Sequence, residues 1–109
     1  MQRMGMVIGI VPDKIAEYKE LHANCWSEIR AGLSDANIKN YSIFLREPEN
    51  LLFSYWEYCG DNFETDMQSI SEQAVTQRWW ALCGPCQSPL ESRAPGEHWA
   101  MMEPVFFHQ

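Results

Sequence analysis

Segments along the chain follow the order strand, helix, strand, strand, helix, strand, which predicts an α+β fold of the ferredoxin-like βαββαβ type. Three observations carry the prediction. Met4 to Val11 is an unbroken apolar run, and Ile15 to Leu33 repeats its apolar residues at steps of three and four. An alternating segment and a return strand then flank Glu47-Pro48-Glu49-Asn50, as the arms of a hairpin do. In this fold both helices cover one face of an antiparallel sheet. Strands this apolar and aromatic do not leave the other face in water, so a homodimer packed sheet to sheet, a dimeric α+β barrel, is the predicted completion.

The elements can be justified in order. The first run, Met-Gly-Met-Val-Ile-Gly-Ile-Val, has the continuous hydrophobicity of a buried strand. Pro12 suits a first helical position, and Asp13 complements the positive end of the helix dipole. One helix is predicted from there: Ile15, Tyr18, His22, Cys25/Trp26, Ile29 and Leu33 share a stripe, and Gly32 with Ser34-Asp35-Ala36-Asn37 ends it. From Ile38 to Arg46 the pattern alternates, with Tyr41, Ile43 and Leu45 on one side and Asn40, Ser42 and Phe44 on the other. Leu51 to Tyr58 is the return strand. Gly60-Asp61-Asn62 caps a second helical region, whose apolar faces (Phe63, Met67, Ile70, then Val75, Trp79, Leu82) place a break near Ser71. Gly84 to His98, with three prolines, reads as loop. Trp99 to Phe107 closes the chain and is strand only in part, because of Pro104.

Composition bounds the function. The 109 residues, 46% hydrophobic, suit one domain spanning 1–109. Eight Lys and Arg against fifteen Asp and Glu leave a net charge of −7, which argues against nucleic acid or an anionic membrane surface as partner. No run of 18 apolar residues exists to span a bilayer, and the N-terminus lacks the long apolar core of an export signal, so a cytoplasmic location is predicted. Cys25, Cys59, Cys83 and Cys86 are then reduced thiols rather than a disulfide framework.

Few residue constellations can carry chemistry. His22 follows Tyr18 by four residues, so the two side chains stack on one helix face, a titratable ring beside a phenol. The bland alternative is a core histidine bonded to a carbonyl. Trp79 fits the apolar stripe of its helix, whereas the adjacent Trp80 falls on another face, where an exposed indole can stack on a sugar or a partner surface. Cys83-Gly84-Pro85-Cys86 has the spelling of a redox dithiol. It follows a helix instead of opening one, so the dipole opposes the thiolate. No metal site is predicted: only Cys83 and Cys86 have ligand spacing, and His98 and His108 lie too far apart, the first a loop surface residue and the second a terminal one. Asp61, Glu64 and Asp66 read as a solvated helix start.

Taken together, the chain resembles the L-rhamnose mutarotase family. The likeness rests on Pro12-Asp13, Tyr18-x-x-x-His22, Trp26-x-Glu28, Asn40-Tyr41, Asn50-Leu51-Leu52-Phe53, Gln77-Arg78-Trp79-Trp80 and Val105-Phe106. It implies a dimeric α+β barrel, no cofactor, a monosaccharide substrate, His22 as proton donor, and Tyr18, Tyr41, Trp79 and Trp80 as the sugar-binding wall. The implied isomerase interconverts the α and β anomers of L-rhamnose or a close 6-deoxyhexose by acid–base ring opening. The base stays open, either Tyr18 or a water relayed by His22. Ser27 stands where the family often has proline, Cys25 replaces a bulkier aliphatic, and Cys83 to His98 does not match clearly, so fucose or another 6-deoxy sugar stands beside rhamnose. The competing reading is a non-catalytic small-molecule-binding or monooxygenase-like dimeric α+β barrel.

Overall fold

The apolar run near the N-terminus is the central strand of the sheet. In the computed structural model, which describes residues 1–109, β1 (Gln2–Ile10) pairs antiparallel with β3 (Leu51–Tyr58) from Gln2 opposite Tyr58 to Gly9 opposite Leu51. On the far side of β3 lies β2 (Ile38–Arg46), also antiparallel. The other edge of β1 carries two short pieces, β4 (Gln87–Ser88) opposite Gly9 and Ile10, and β5 (Ala100–Met101) opposite Met6 and Val7. The order β2-β3-β1-β4, with β5 also on β1, is the predicted ferredoxin-like arrangement.

The fourth strand differs from its prediction. Pairing from Trp99 to Phe107 shrinks to two residues, and two residues of the predicted loop pair instead. Gly9 makes the latter possible. A Cβ there would lie 2.6 Å from the Ser88 carbonyl oxygen, so only a glycine lets the β4 backbone approach.

The first helical region also differs. It is two helices, α1 (Ile15–Ala23) and α2 (Ser27–Asp35), after a single 3₁₀ turn at Pro12–Lys14. Asn24 ends α1 by placing both its backbone N–H and its side-chain Nδ2 on the Glu20 carbonyl, each at 3.1 Å, and Trp26 is extended. The apolar stripe continues past this corner because α2 packs on the same core. In the second region α3 (Phe63–Glu72) and α4 (Ala74–Cys83) part at Gln73, two residues after the predicted break. Asn62 caps α3, its Oδ1 accepting from the Thr65 N–H at 3.2 Å. Asp66 is not merely solvated: it accepts from the Tyr58 hydroxyl and the Asn37 amide, tying α3 to the sheet and to the turn before β2. None of these helices is long and apolar enough to cross a membrane.

All helices lie on one side of the sheet. Alternate residues of β3 (Leu52, Ser54, Trp56 and Tyr58) are buried beneath them, and Ile8 and Ile10 of β1 join Leu52 in the core. Each such aliphatic side chain contributes about 1.5–3 kcal/mol on burial. The other face carries Val7, Phe53 and Phe44 in register across three strands, and Phe44 is 63% exposed. Beyond β5 the chain runs on with Val105 and Phe106 almost wholly exposed, while the Arg3 guanidinium stacks on the Phe107 ring at 3.4 Å from its centroid.

Candidate functional site

Helix α1 presents Tyr18 and His22 one turn apart, as the spacing predicts, with ring centroids 4.2 Å apart. The His22 Nδ1 lies 2.9 Å from the Tyr18 carbonyl oxygen. A carbonyl only accepts, so Nδ1 carries the hydrogen and the neutral ring keeps its lone pair on Nε2. The bland alternative, a histidine bonded to a carbonyl, is therefore true of one ring nitrogen and leaves the other for chemistry. Burial pulls the His22 pKa below its usual value, against an opposing contribution from the carbonyl bond.

Helix α4 closes the ring from the other side. Trp79 meets His22 edge-on at 5.3 Å and Trp26 edge-on at 5.2 Å. Tyr18 and Trp79 are buried, so the imidazole is gripped by rings that cannot readily rotate. Trp80 is 52% exposed and stacks on no other ring of the chain, as its helical angle predicts.

Tyr41 faces the helices by alternation with Ile43 and Leu45, and a β-bulge stands beside it. Lys39 pairs with Glu57 and Ser42 with Tyr55, so Asn40 and Tyr41 together stand opposite Trp56. Asn40 takes the left-handed conformation (φ 53°), and its Nδ2 donates to Glu57 Oε1 at 2.9 Å. The extra residue lets both Ile38 and Tyr41 face the helices, although they are an odd number of positions apart. Tyr41 stacks on Trp56 at 6.2 Å with the planes 12° apart. Tyr41 is 40% exposed as a residue, but desolvation around its hydroxyl pushes its pKa upward, with Cys83 adding to the effect. The Tyr18 hydroxyl is shifted further upward, chiefly by burial, with smaller contributions from Cys83 and Tyr41. Both phenols are neutral donors at physiological pH.

Cys83 is buried at the end of α4, where burial pushes its thiol up to about 12, with Cys86 and Cys25 adding to it. Cys86 is fully buried near Glu17, and its pKa is raised by burial and by that carboxylate. Both are buried thiols with raised pKa values, the opposite of the stabilised thiolate that a redox dithiol uses. Two surface clefts, about 360 Å³ between Trp26, Glu28 and Arg78 and about 430 Å³ along Glu17, Glu20, Leu21, Asn24 and Trp26, flank the ring cluster without including His22.

Thus Tyr18, His22 and Trp79 are in contact, Tyr41 is close enough to influence the Tyr18 hydroxyl, and Trp80 stands on the adjoining exposed face. Two neighbours escape the sequence reading as site residues. Trp26 follows His22 by four positions, a spacing that could have flagged it. Gln87, whose Nε2 donates to the Tyr18 hydroxyl at 3.3 Å, arrives by strand pairing and leaves no local signal.

A one-sided α+β sheet with an imidazole held among phenol and indole rings defines a class: ferredoxin-like α+β domains with a histidine clamped between the helices. Comparison with known proteins makes this particular. The L-rhamnose mutarotase family profile matches residues 3–108. An L-rhamnose mutarotase from Oceanobacillus iheyensis is 33% identical over 95 residues, covering 87% of this chain and 88% of that protein. One from Pectobacterium atrosepticum is 32% identical over 107 residues, covering 98% of each. The chain belongs to the L-rhamnose mutarotase family and is an isomerase of the sugar mutarotase type. Among solved structures, the L-rhamnose mutarotase FA22100 from Formosa agariphila superposes with a TM-score of 0.78 at 23% identity, covering all of both chains. Tetracenomycin F2 cyclase from Streptomyces glaucescens shares the fold at 13% identity and a TM-score of 0.68, covering 100% of this chain and 98% of that one, so the fold alone does not choose the chemistry.

Proposed function

We propose that this protein interconverts the α and β anomers of L-rhamnose or a close 6-deoxyhexose in the cytoplasm, with His22 as the catalytic group. The observation that carries this reading is the commitment of Nδ1 to the Tyr18 carbonyl, which leaves Nε2 as the one exchanging atom of a clamped ring. Ring opening moves a proton from the anomeric hydroxyl to the ring oxygen. Both oxygens are bonded to the same carbon, so a single nitrogen reaches both. Nε2 takes the proton from the anomeric oxygen, the bond between that carbon and the ring oxygen breaks as the aldehyde forms, and the imidazolium returns the proton to the ring oxygen. Rotation of the aldehyde and the reverse steps give the other anomer. His22 is thus base and then proton donor, and Tyr18, held neutral by burial, serves as a hydrogen-bonding group. Tyr41, Trp79 and Trp80 form the sugar wall, the indoles against the apolar sugar face.

The protein acts as a homodimer in this reading, two sheets packing through the bare face that carries Phe44 and Phe53, with the exposed Val105 and Phe106 adding to the contact.

Saturation transfer between the α and β anomeric protons, measured by NMR with micromolar protein, tests the activity. Added exchange on rhamnose or fucose is expected, and His22→Ala removes it by roughly 10²–10⁴-fold with native circular dichroism. Absence of added exchange on both sugars sinks the substrate class, and full activity in His22→Ala sinks the assignment of His22.

A further inference from the structure

We propose that Gln87 is a positioning residue for the Tyr18 hydroxyl, itself held by His98, and that the chain from His98 through Gln87 to Tyr18 fixes Tyr18 as a donor towards the sugar. This rests on the placement of Tyr18 in the sugar site. The geometry is two hydrogen bonds. His98 Nε2 lies 2.7 Å from Gln87 Oε1, and Gln87 Nε2 lies 3.3 Å from the Tyr18 hydroxyl oxygen. The amide oxygen only accepts, so His98 donates through Nε2. The amide nitrogen only donates, so the Tyr18 oxygen accepts. A phenol that has accepted on its oxygen still holds one hydrogen, and within this chain that hydrogen has no acceptor.

The polarity is relayed through the amide. Turning the Gln87 side chain end for end would set its N–H against the His98 N–H and its carbonyl against the phenol, so this orientation goes with the Nε2-protonated tautomer of His98. The Tyr18 hydrogen then complements the Nε2 lone pair of His22. One group accepts the anomeric proton, while the other donates to the ring oxygen as negative charge develops there. Burial keeps Tyr18 protonated, as a donor requires.

The parts come from three places in the fold. Gln87 is hung on β1 by the close approach at Gly9, His98 stands just before β5, and Tyr18 is on α1. The bond between Gln87 and His98 also ties together the ends of the excursion from 89 to 97, and so joins that loop to Tyr18.

Gln87→Glu is the decisive variant, because it keeps the shape and replaces a donor with an acceptor. At pH 8 the carboxylate draws the Tyr18 hydrogen to itself, and exchange measured by NMR falls roughly tenfold, the effect of one misdirected hydrogen bond. The same substitution in a Tyr18→Phe background adds no further loss. The ratio of variant to native rate recovers as pH falls and the carboxyl regains a donor. Native exchange in Gln87→Glu, or an equal further loss in the Tyr18→Phe background, overturns the proposal. If circular dichroism shows Gln87→Glu unfolded, His98→Ala on the exposed loop replaces it. About a threefold loss that vanishes in the Tyr18→Phe background supports the relay, and no loss overturns it. Native exchange in Tyr18→Phe alone removes Tyr18 from the site reading altogether. Impaired Tyr18→Phe beside unimpaired Gln87→Glu defeats only the relay.

Discussion

His22 and Tyr18 are joined twice, ring to ring at 4.2 Å and imidazole Nδ1 to the backbone carbonyl at 2.9 Å. The second bond belongs to the helix as much as to the side chain, since a residue four places back supplies the carbonyl. The tautomer of the His22 ring is therefore set by secondary structure.

A pH dependence of the rate follows. Only neutral His22 offers Nε2 as a base, and burial lowers its pKa below 6.5. Exchange should rise with pH through that lowered value and be level by neutrality. A rising limb centred above 6.5 in the NMR exchange profile would contradict the arrangement.

Stability moves with pH through the same group. The unfolded chain binds a proton at His22 near pH 6.5, and the folded chain only at lower pH. Between these values the unfolded state holds more protons, so stability falls as pH drops below 6.5 and this contribution levels off beneath the folded pKa. Thermal melts from pH 7.5 to 5 should show a shallower decline in His22→Gln than in the native protein. Parallel declines would refute the linkage.

These effects concern what was legible from residue order. The Tyr18–His22 pair was readable because helix periodicity alone brings such residues together, and the hairpin because Ile38 to Arg46 alternates and Glu47-Pro48-Glu49-Asn50 has the composition of a turn. The corner at Asn24 was hidden: asparagine is a weak breaker, and the stripe of Ile15, Tyr18, Ile29 and Leu33 runs through it. Trp80 was readable as exposed from its angle to Trp79. Gln87 was not readable, because its contact with Tyr18 spans 69 positions and depends on a two-residue strand admitted by the absence of a side chain at Gly9.

Asn40 is the next point of leverage. Its φ of 53° suits asparagine or glycine and penalises β-branched residues. Asn40→Val should cost about 1–2 kcal/mol in urea unfolding and weaken sugar binding through Tyr41, whereas Asn40→Gly should stay within about 1 kcal/mol of native. Equal stabilities of the two variants would show that the left-handed conformation is not maintained in solution.

The bare sheet face predicts assembly. Sedimentation equilibrium should give twice the monomer mass, and Val105→Asp combined with Phe106→Asp should shift the population towards monomer by adding charge to the contact. A native monomer at tens of micromolar would dismiss the dimer.

The bulge opposite Trp56 has a consequence for what kind of change the site tolerates. Asn40 is the residue that strand β2 does not need: without it, Lys39, Tyr41 and Ser42 would run on as an unbroken ladder against Glu57, Trp56 and Tyr55. The sheet would be more regular, and Tyr41 would still face the helices, but from a straighter and less twisted backbone. Loss of Asn40 would thus spare the side that Tyr41 faces and alter only the local twist, and with it the angle at which the phenol lies over Trp56.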